Sequence, residues 1–457
     1  TPRSNRRQRQ MCIRDRRKAG NIKGWVENCG AAYDHFVILD ADSIMSGETL
    51  VRLSRAMEET PTAGLIQTVP RLIGARTVLQ RLQQYASNIY GPSVAAGLAF
   101  WHRDEGNYWG HNAIIRTEAF AGAAGLAPLP GRAPFGGHIQ SHDFVEAVLL
   151  QRAGWGVHMV PTVGGSYEGL PPNLVNVVQR DRRWAQGNLQ HLSIVMASGL
   201  TAMGRVHLAM GALSYIISTV WGMSLVVGVV LALQGQQMIP SYFTDGHTLF
   251  PIWPVLDSSA ALRLFCATLV IVLLPKVFGL ILEIRRTLVE KEPYGVLRAI
   301  AGVGTETFFS ILLAPILMVT QTVAIMQVVI GRDSGWSPQQ REDGGLSFDE
   351  AVGFHWRHIM IGAFAAWTCW HVSPHLVMWM SPILVGLVFA APLGWFMSRN
   401  GGFYLRSVLS IPEQRLPPQI LSHAQSFGAR WALRFDSLTI AETKASREAV
   451  QRMDRAA

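Results

Sequence analysis

The stretch "AAYDHFVILDADSIMSGETL", residues 31–50, runs the apolar segment Phe36 to Leu39 straight into two aspartates separated by one alanine. Side chains alternate faces in an extended chain, so Asp40 and Asp42 can point the same way from the carboxyl end of a buried strand. Two carboxylates so placed suit a hard divalent cation, which usually takes one or two protein carboxylates and fills its shell with phosphates and water. The competing reading is a turn in which Asp42 caps a helix over Ser46 to Glu58. Both readings put an α/β fold here.

Working outward, the whole chain of 457 residues is 49% hydrophobic and only 16% charged, too apolar for an ordinary soluble enzyme. Part of it is expected in lipid. The formal net charge of +9 is carried mostly by arginines near the ends and beside apolar runs, which fits an anionic membrane surface or phosphorylated ligands. No zinc-finger, helix-turn-helix or aromatic RNA-binding pattern accompanies them, so nucleic acid is not an expected partner. Cys12, Cys29, Cys266 and Cys369 are too scattered for a disulfide framework or a zinc site.

The character changes near residue 205. Residues 17–204 mix short apolar runs, turns and polar helices, whereas 205–398 hold apolar blocks long enough to cross a hydrocarbon core of about 30 Å, at 206–233, 262–282, 353–372 and 375–398. Between Arg205 and Arg263 there is no lysine or arginine, while Arg285, Arg286, Lys291 and Arg298 crowd the next connection. The positive-inside rule then puts 234–260 outside and the α/β part in the cytoplasm. Residues 299–330 carry Glu306, Pro315, Gln321 and Gln327. If they spanned, the basic tail 399–457 would end outside, so an interfacial or re-entrant segment is expected, with the tail cytoplasmic. The leader 1–16 is arginine-rich without periodicity and reads as disordered or foreign, and the aspartate-bearing strand arrives so early that the α/β domain is expected to be truncated at its amino end.

Two further constellations carry chemistry. In "SHDFVEA", 141–147, Ser141 can cap a helix with Asp143 in its first turn. Asp143 is either a general base with His142 beside it or a carboxylate placed there by the helix dipole. In "RDRRWAQGNL", 180–189, helical spacing puts Arg180, Arg183, Trp184 and Gly187 on one face, a phosphate-binding and sugar-stacking set or a basic helix anchored by Trp184 at a membrane surface.

A carboxylate pair, a possible base about 100 residues later and an Arg/Trp helix leading into apolar spans together resemble the processive membrane glycosyltransferases of family 2, which include cellulose and hyaluronan synthases. Their D-x-D, x-x-D and Q-x-x-R-W motifs correspond to Asp40 and Asp42, Asp143, and the 180–184 segment. "KAGN", Lys18 to Asn21, is similar to the family's donor-binding stretch. "GHNAIIR" (110–116), "GSYEGLPPNL" (165–174) and "GRDSGW" (331–336) point to the branch that makes osmoregulated periplasmic glucans.

The resemblance implies a GT-A-like α/β domain followed by an all-α transmembrane domain, in the bacterial inner membrane with the catalytic part in the cytoplasm. It implies an inverting transfer of glucose from UDP-glucose to a growing β-1,2-glucan that passes to the periplasm. Asp143 is then the base, and a divalent cation, Mg or Mn, sits at Asp40 and Asp42. Lys18, Asn21, Arg180 and Arg183 contact the donor or its diphosphate, and Trp184, His111 and Asn112 the acceptor. "GRDSGWSPQQRED" would gate the site. Acyl carrier protein and periplasmic glucan-processing proteins are implied as partners. The resemblance departs in two ways. Arg180 stands where the family has glutamine, with Gln179 one residue early, and the family's amino-terminal spans and first donor-binding aspartate are missing, so activity is expected of a longer protein. The alternatives are a synthase of another polysaccharide on the same mechanism, or a membrane transporter without catalysis. The transporter predicts ionisable residues clustered within the spans, which are nearly free of them.

Overall fold

In the computed structural model, which describes residues 18–237, 258–292, 295–332 and 345–431, the apolar run before Asp40 forms β1, His35–Ile38, preceded by helix α1 over residues 18–29. There follow β2 (Ile44–Met45), α2 (Gly47–Glu59), β3 (Ala63–Thr68), β4 (Arg71–Leu72), α3 (Val78–His102), β5 (Ala113–Arg116) and α4 (Thr117–Ala123). The α/β part closes with α5 (His142–Arg152), β6 (Gly156–Val160), β7 (Ser166–Glu168) and α6 (Leu174–Gln190).

One sheet has the order β1-β5-β3-β6, with β5 antiparallel to both neighbours and β3 parallel to β6. Central β3, "AGLIQT", is buried at every residue because helices cover both faces. On one face Leu65, Ile115 and Val157 pack with Phe120 of α4 and Leu150 of α5. On the other, Ile66 and Ile114 meet Leu53 and Met57 of α2. Each fully buried side chain of this size stabilises the fold by about 1.5–3 kcal/mol. A small sheet, β2-β7-β4, lies beside the cleft described below and carries Glu168 at its end.

The starts of the helices follow local chemistry. Ser46 accepts a hydrogen bond from Thr49 N and caps α2, so Asp42 is not the cap. Thr77 and Gln80 form a capping box at α3, and Asn173 caps α6.

The apolar blocks form α7 (Ala202–Gln237), α8 (Ser258–Val289), α9 (Gly295–Val329), α10 (Phe348–Val372), α11 (Pro374–Val388) and α12 (Ala390–Met397). Among the described residues α7, α8 and α9 are each long and apolar enough to cross a membrane, and α11 with α12 forms one such pair, bent by 59°. Two segments bear on the expected spans. Residues 353–372 lie in α10, which falls short of that test because His355, Arg357, His358 and His371 dilute its apolar composition. Residues 299–330 lie in one continuous helix, α9, with no re-entrant break.

The partners of α9 are informative. Near its start Tyr85 of α3 donates to Ala299 O at 3.0 Å, and Tyr90 of α3 donates to Glu306 Oε2 at 2.9 Å. Near its end Gln321 donates to Asp181 of α6 and accepts from Ser218 of α7, while Ile325 and Val328 pack on Ala185 and Leu189 of α6. Both ends therefore rest on helices of the α/β part. Lys276 of α8 pairs with Glu306 at 2.5 Å, so the charge buried in this layer is matched.

After α12 the chain returns to the α/β part. Arg399 O accepts from Val78 N, Glu413 pairs with Arg71 beside Asn88, and Arg415 pairs with Glu292 between α8 and α9. Short helices α13 (Phe403–Val408) and α14 (Pro412–Arg415) lie in this strap. The expected leader 1–16, residues 238–257, most of "GRDSGWSPQQRED" (333–344) and the tail beyond 431 lie outside the described residues.

Candidate active site

A cleft of about 1980 Å³ opens at the carboxyl end of β1 and runs between α1, α5 and α6 to Gly211, Ser214 and Tyr215 of α7. Its wall brings together Lys18, Asp40, Asp42, His111, Asp143, Arg180, Arg183 and Trp184, residues that span most of the α/β sequence.

Asp40 and Asp42 reach the cleft from a turn, not from the strand itself. β1 ends at Ile38, and Ser43 N donates to Asp40 O at 2.9 Å. Lys18 Nζ lies 2.5 Å from Asp40 Oδ1. Asp42 packs against Gly169, where a Cβ would come within 3.2 Å of Asp42 Cβ. Glu168, next to that glycine, is a third carboxylate on this wall that the motif reading did not single out, although "GSYEGLPPNL" contains it. Burial pushes Glu168 above the usual carboxylate range, and Asp42 and Asp40 push it the same way, while His111 at 3.6 Å opposes them. Three carboxylates gathered on one wall offer oxygen donors that fit a hard divalent cation.

Across the cleft, Asp143 lies in the first turn of α5. Ser141 holds the N-cap position without a side-chain capping bond. Gly110 explains how close the opposite wall comes: its φ is +94°, and a Cβ there would meet the Asp143 carboxylate at 2.6 Å. Gly187 does the same for α6, where a Cβ would lie 2.5 Å from Ser141 N, so α6 seats directly on the start of α5. His142 and Glu146 stand behind Asp143, both buried. Burial works against a charged His142, but Asp143 and Glu146 outweigh it and hold the imidazolium up to about 9. Glu146, one helical turn from His142 in "SHDFVEA", is a second residue that the motif reading passed over.

On α6 the guanidinium of Arg180 stacks 4.4 Å over the Trp184 ring, and Trp184 is 48% exposed to the cleft. The indole thus offers one face to a ligand while its other face carries a positive charge.

Two predicted site residues are elsewhere. Asn21 is exposed on α1 and does not line the cleft. Asn112 is fully buried with φ +52°, donates to Ser166 Oγ at 2.7 Å and approaches His111 Nδ1 at 2.9 Å. It fixes the start of β5 to β7 and aims His111, but is itself out of a ligand's reach. Asparagine tolerates this left-handed backbone better than most residues, which accounts for its presence.

A carboxylate facing three others across a basic, aromatic-floored cleft suits a transfer reaction on an anionic leaving group. Comparison with known proteins agrees. Residues 35–274 match the family described as glycosyl transferase family group 2. The chain is 46% identical over 417 residues to "Glucans biosynthesis glucosyltransferase H" of Rhodopseudomonas palustris (strain TIE-1), covering 91% of this chain and 57% of that protein. It is 46% identical over 418 residues to the protein of that name from Shewanella oneidensis, with 91% and 58% covered, and 46% over 413 residues to that of Bradyrhizobium diazoefficiens, with 90% and 55% covered. The chain thus spans less than two thirds of the length of these relatives. With the family model covering more than half of it and the motifs gathered in one cleft, the chain belongs to glycosyl transferase family group 2.

Proposed function

We propose that the chain forms the catalytic and membrane-embedded part of an inverting glucosyltransferase that moves glucose from UDP-glucose to a growing β-1,2-glucan of the periplasmic, osmoregulated type. The observation that carries this reading is the cleft itself, in which Asp143 faces Asp40 and Asp42 with Arg180, Arg183 and Trp184 on the same wall. The acceptor hydroxyl gives its proton to Asp143, its oxygen bonds to the anomeric carbon from the side opposite the diphosphate, and the bond from that carbon to the UDP oxygen breaks. Arg183 and Arg180 hold the diphosphate, Lys18 steadies Asp40, and Trp184 stacks on the acceptor sugar with His111 beside it. Asp40 and Asp42 would hold a divalent cation, Mg or Mn, and its charge would offset that of the leaving diphosphate.

The contacts of α9 and of the strap after α12 support a reading of the membrane arrangement as well. Crossings at α7, α8, α10 and the α11–α12 pair, with α9 lying in the interface, keep both ends of α9 and the strap after α12 on the side of the α/β part, which is the cytoplasmic face of the bacterial inner membrane. A cysteine at Ser422 should be labelled only after permeabilisation, and one at Ser241 from outside; labelling of both from outside overturns the arrangement. Acyl carrier protein and periplasmic glucan-processing proteins stand as partners by resemblance only.

The test uses membranes containing the protein extended to the length of its relatives. Glucose from UDP-glucose should enter polymer only with divalent cation present. Turnover of a different sugar nucleotide in place of UDP-glucose would favour a synthase of another polysaccharide, and no turnover of any would overturn the enzyme.

A further inference from the structure

Asp143 is backed by a structure of its own. His142 Nδ1 donates to Glu146 Oε1 at 2.9 Å and lies 3.2 Å from Asp143 Oδ1, so one imidazole nitrogen stands between two carboxylates. The spacing makes this possible, since residues four apart stack on one helix face. His142 is 6% and Glu146 1% exposed. Among the described residues Glu146 Oε2 and Asp143 Oδ1 accept no hydrogen bond, so the imidazole is the cation in contact with both, although burial still leaves Glu146 above the usual carboxylate range. A buried carboxylate and a half-buried one this close repel each other, and a cation between them relieves that repulsion.

We propose that Glu146 is a positioning residue for the transfer: through His142 Nδ1 it fixes the imidazole against Asp143, so that the Asp143 carboxylate is held beside it and aimed into the cleft. The proposal rests on the reading of Asp143 as the base. The other titratable groups facing this cluster are Lys18 from α1, Tyr108 ahead of β5 and His191 at the end of α6. Burial holds the Tyr108 hydroxyl well above its ordinary value and lowers His191 to about 4, so neither of the two changes charge between pH 6 and pH 9. His142, held up to about 9 by its two carboxylates, does so at the upper end of that window.

Glu146→Gln and Glu146→Ala separate charge from geometry, because glutamine still accepts from Nδ1 and alanine does not. Initial rates of glucosyl transfer are measured against pH in membranes containing the protein extended to the length of its relatives. Wild type should lose kcat only as pH passes about 9. In Glu146→Gln that limb should move down by about one pH unit or more, leaving the rate at pH 6.5 close to wild type and KM for UDP-glucose within about twofold. Glu146→Ala should lower kcat roughly tenfold at every pH, as expected when a base is no longer held in place. An alkaline limb in Glu146→Gln that coincides with wild type overturns the proposal, even if the alanine variant fails to fold. Asp143→Asn tests the base on which it rests: transfer at the wild-type rate removes that base, whereas an inactive Asp143→Asn beside coincident limbs removes the role of Glu146 alone.

Discussion

Asp40 and Asp42 stand on a turn at the open wall of the cleft, with Lys18 against one of them and Glu168 nearby, while Asp143 faces them with a buried imidazole and a buried glutamate at its back. The two acidic groups share one cavity and one sign of charge. They differ in where their compensation comes from. At Asp143 it is built into one turn of α5 and is present whether or not a ligand is bound. On the opposite wall it comes from other elements: Lys18 of α1 lies against Asp40, and His111 and Arg180 act on Glu168. A carboxylate with a counter-charge on its own helical turn suits proton transfer, and a wall of three carboxylates suits binding a cation and, through it, a diphosphate.

Removing the acid on each side tests that contrast. Asp143→Asn should have the largest effect, a fall of about 10²–10⁴-fold in polymer formation with UDP-glucose binding retained, the range for loss of a positioned base. Equilibrium binding of UDP-glucose separates this from unfolding. Asp42→Asn should cost on the order of a hundredfold and, unlike the first variant, should weaken the response to added Mg or Mn. If both variants lost cation dependence equally, the two acidic groups would be one site and the contrast would fail.

Gly110→Ala sharpens the comparison from the backbone. The new Cβ would sit 2.6 Å from the Asp143 carboxylate at a φ of +94°. The strained backbone costs about 1–2 kcal/mol, and the carboxylate must turn away. Transfer should fall roughly tenfold, by analogy with other small misplacements of a catalytic group, while the cation response of the Asp40 and Asp42 wall stays as in wild type. A rate unchanged from wild type would mean that Asp143 does not act from the position it occupies here.

How much of this the sequence reveals differs between the same two walls. The order of Asp40, Asp42, Asp143 and the Arg/Trp helix is visible as short motifs, and the structure draws all of them to one cleft, because sheet and helix packing joins segments far apart in the chain. Glu146 was hidden because a glutamate four residues after a histidine looks like any helical polar pair. Glu168 was hidden because nothing local marks the end of a three-residue strand as facing Asp42. Asn112 shows the converse: beside His111 it looks like a ligand, while the left-handed turn that aims the histidine buries the asparagine. At α9 the distribution of charge already speaks against a simple crossing, and the contacts with Tyr85, Tyr90 and Asp181 add which helices of the α/β part its two ends rest on.

The smallest expected effect comes from pH, and it follows from the built-in compensation behind Asp143. His142 is held up to about 9 against an ordinary value of 6.5, so the folded protein binds this proton more tightly than the unfolded chain does. Its contribution to stability is therefore complete below about pH 6.5 and is lost as pH rises through about 9. Neighbouring His191 runs the other way. Burial lowers it to about 4, so the stability it adds as a neutral ring is complete above its ordinary value and is lost as pH falls through about 4. Thermal unfolding of the detergent-solubilised protein should then show Tm declining by a few degrees between about pH 7 and pH 9.5, a size set by roughly 2–4 °C per kcal/mol for domains of this kind. His142→Gln should flatten that alkaline decline while leaving the acid side, where His191 acts, unchanged. An alkaline slope that survives His142→Gln would mean that the imidazole carries no fixed charge, and that the compensation behind Asp143 is not built into α5.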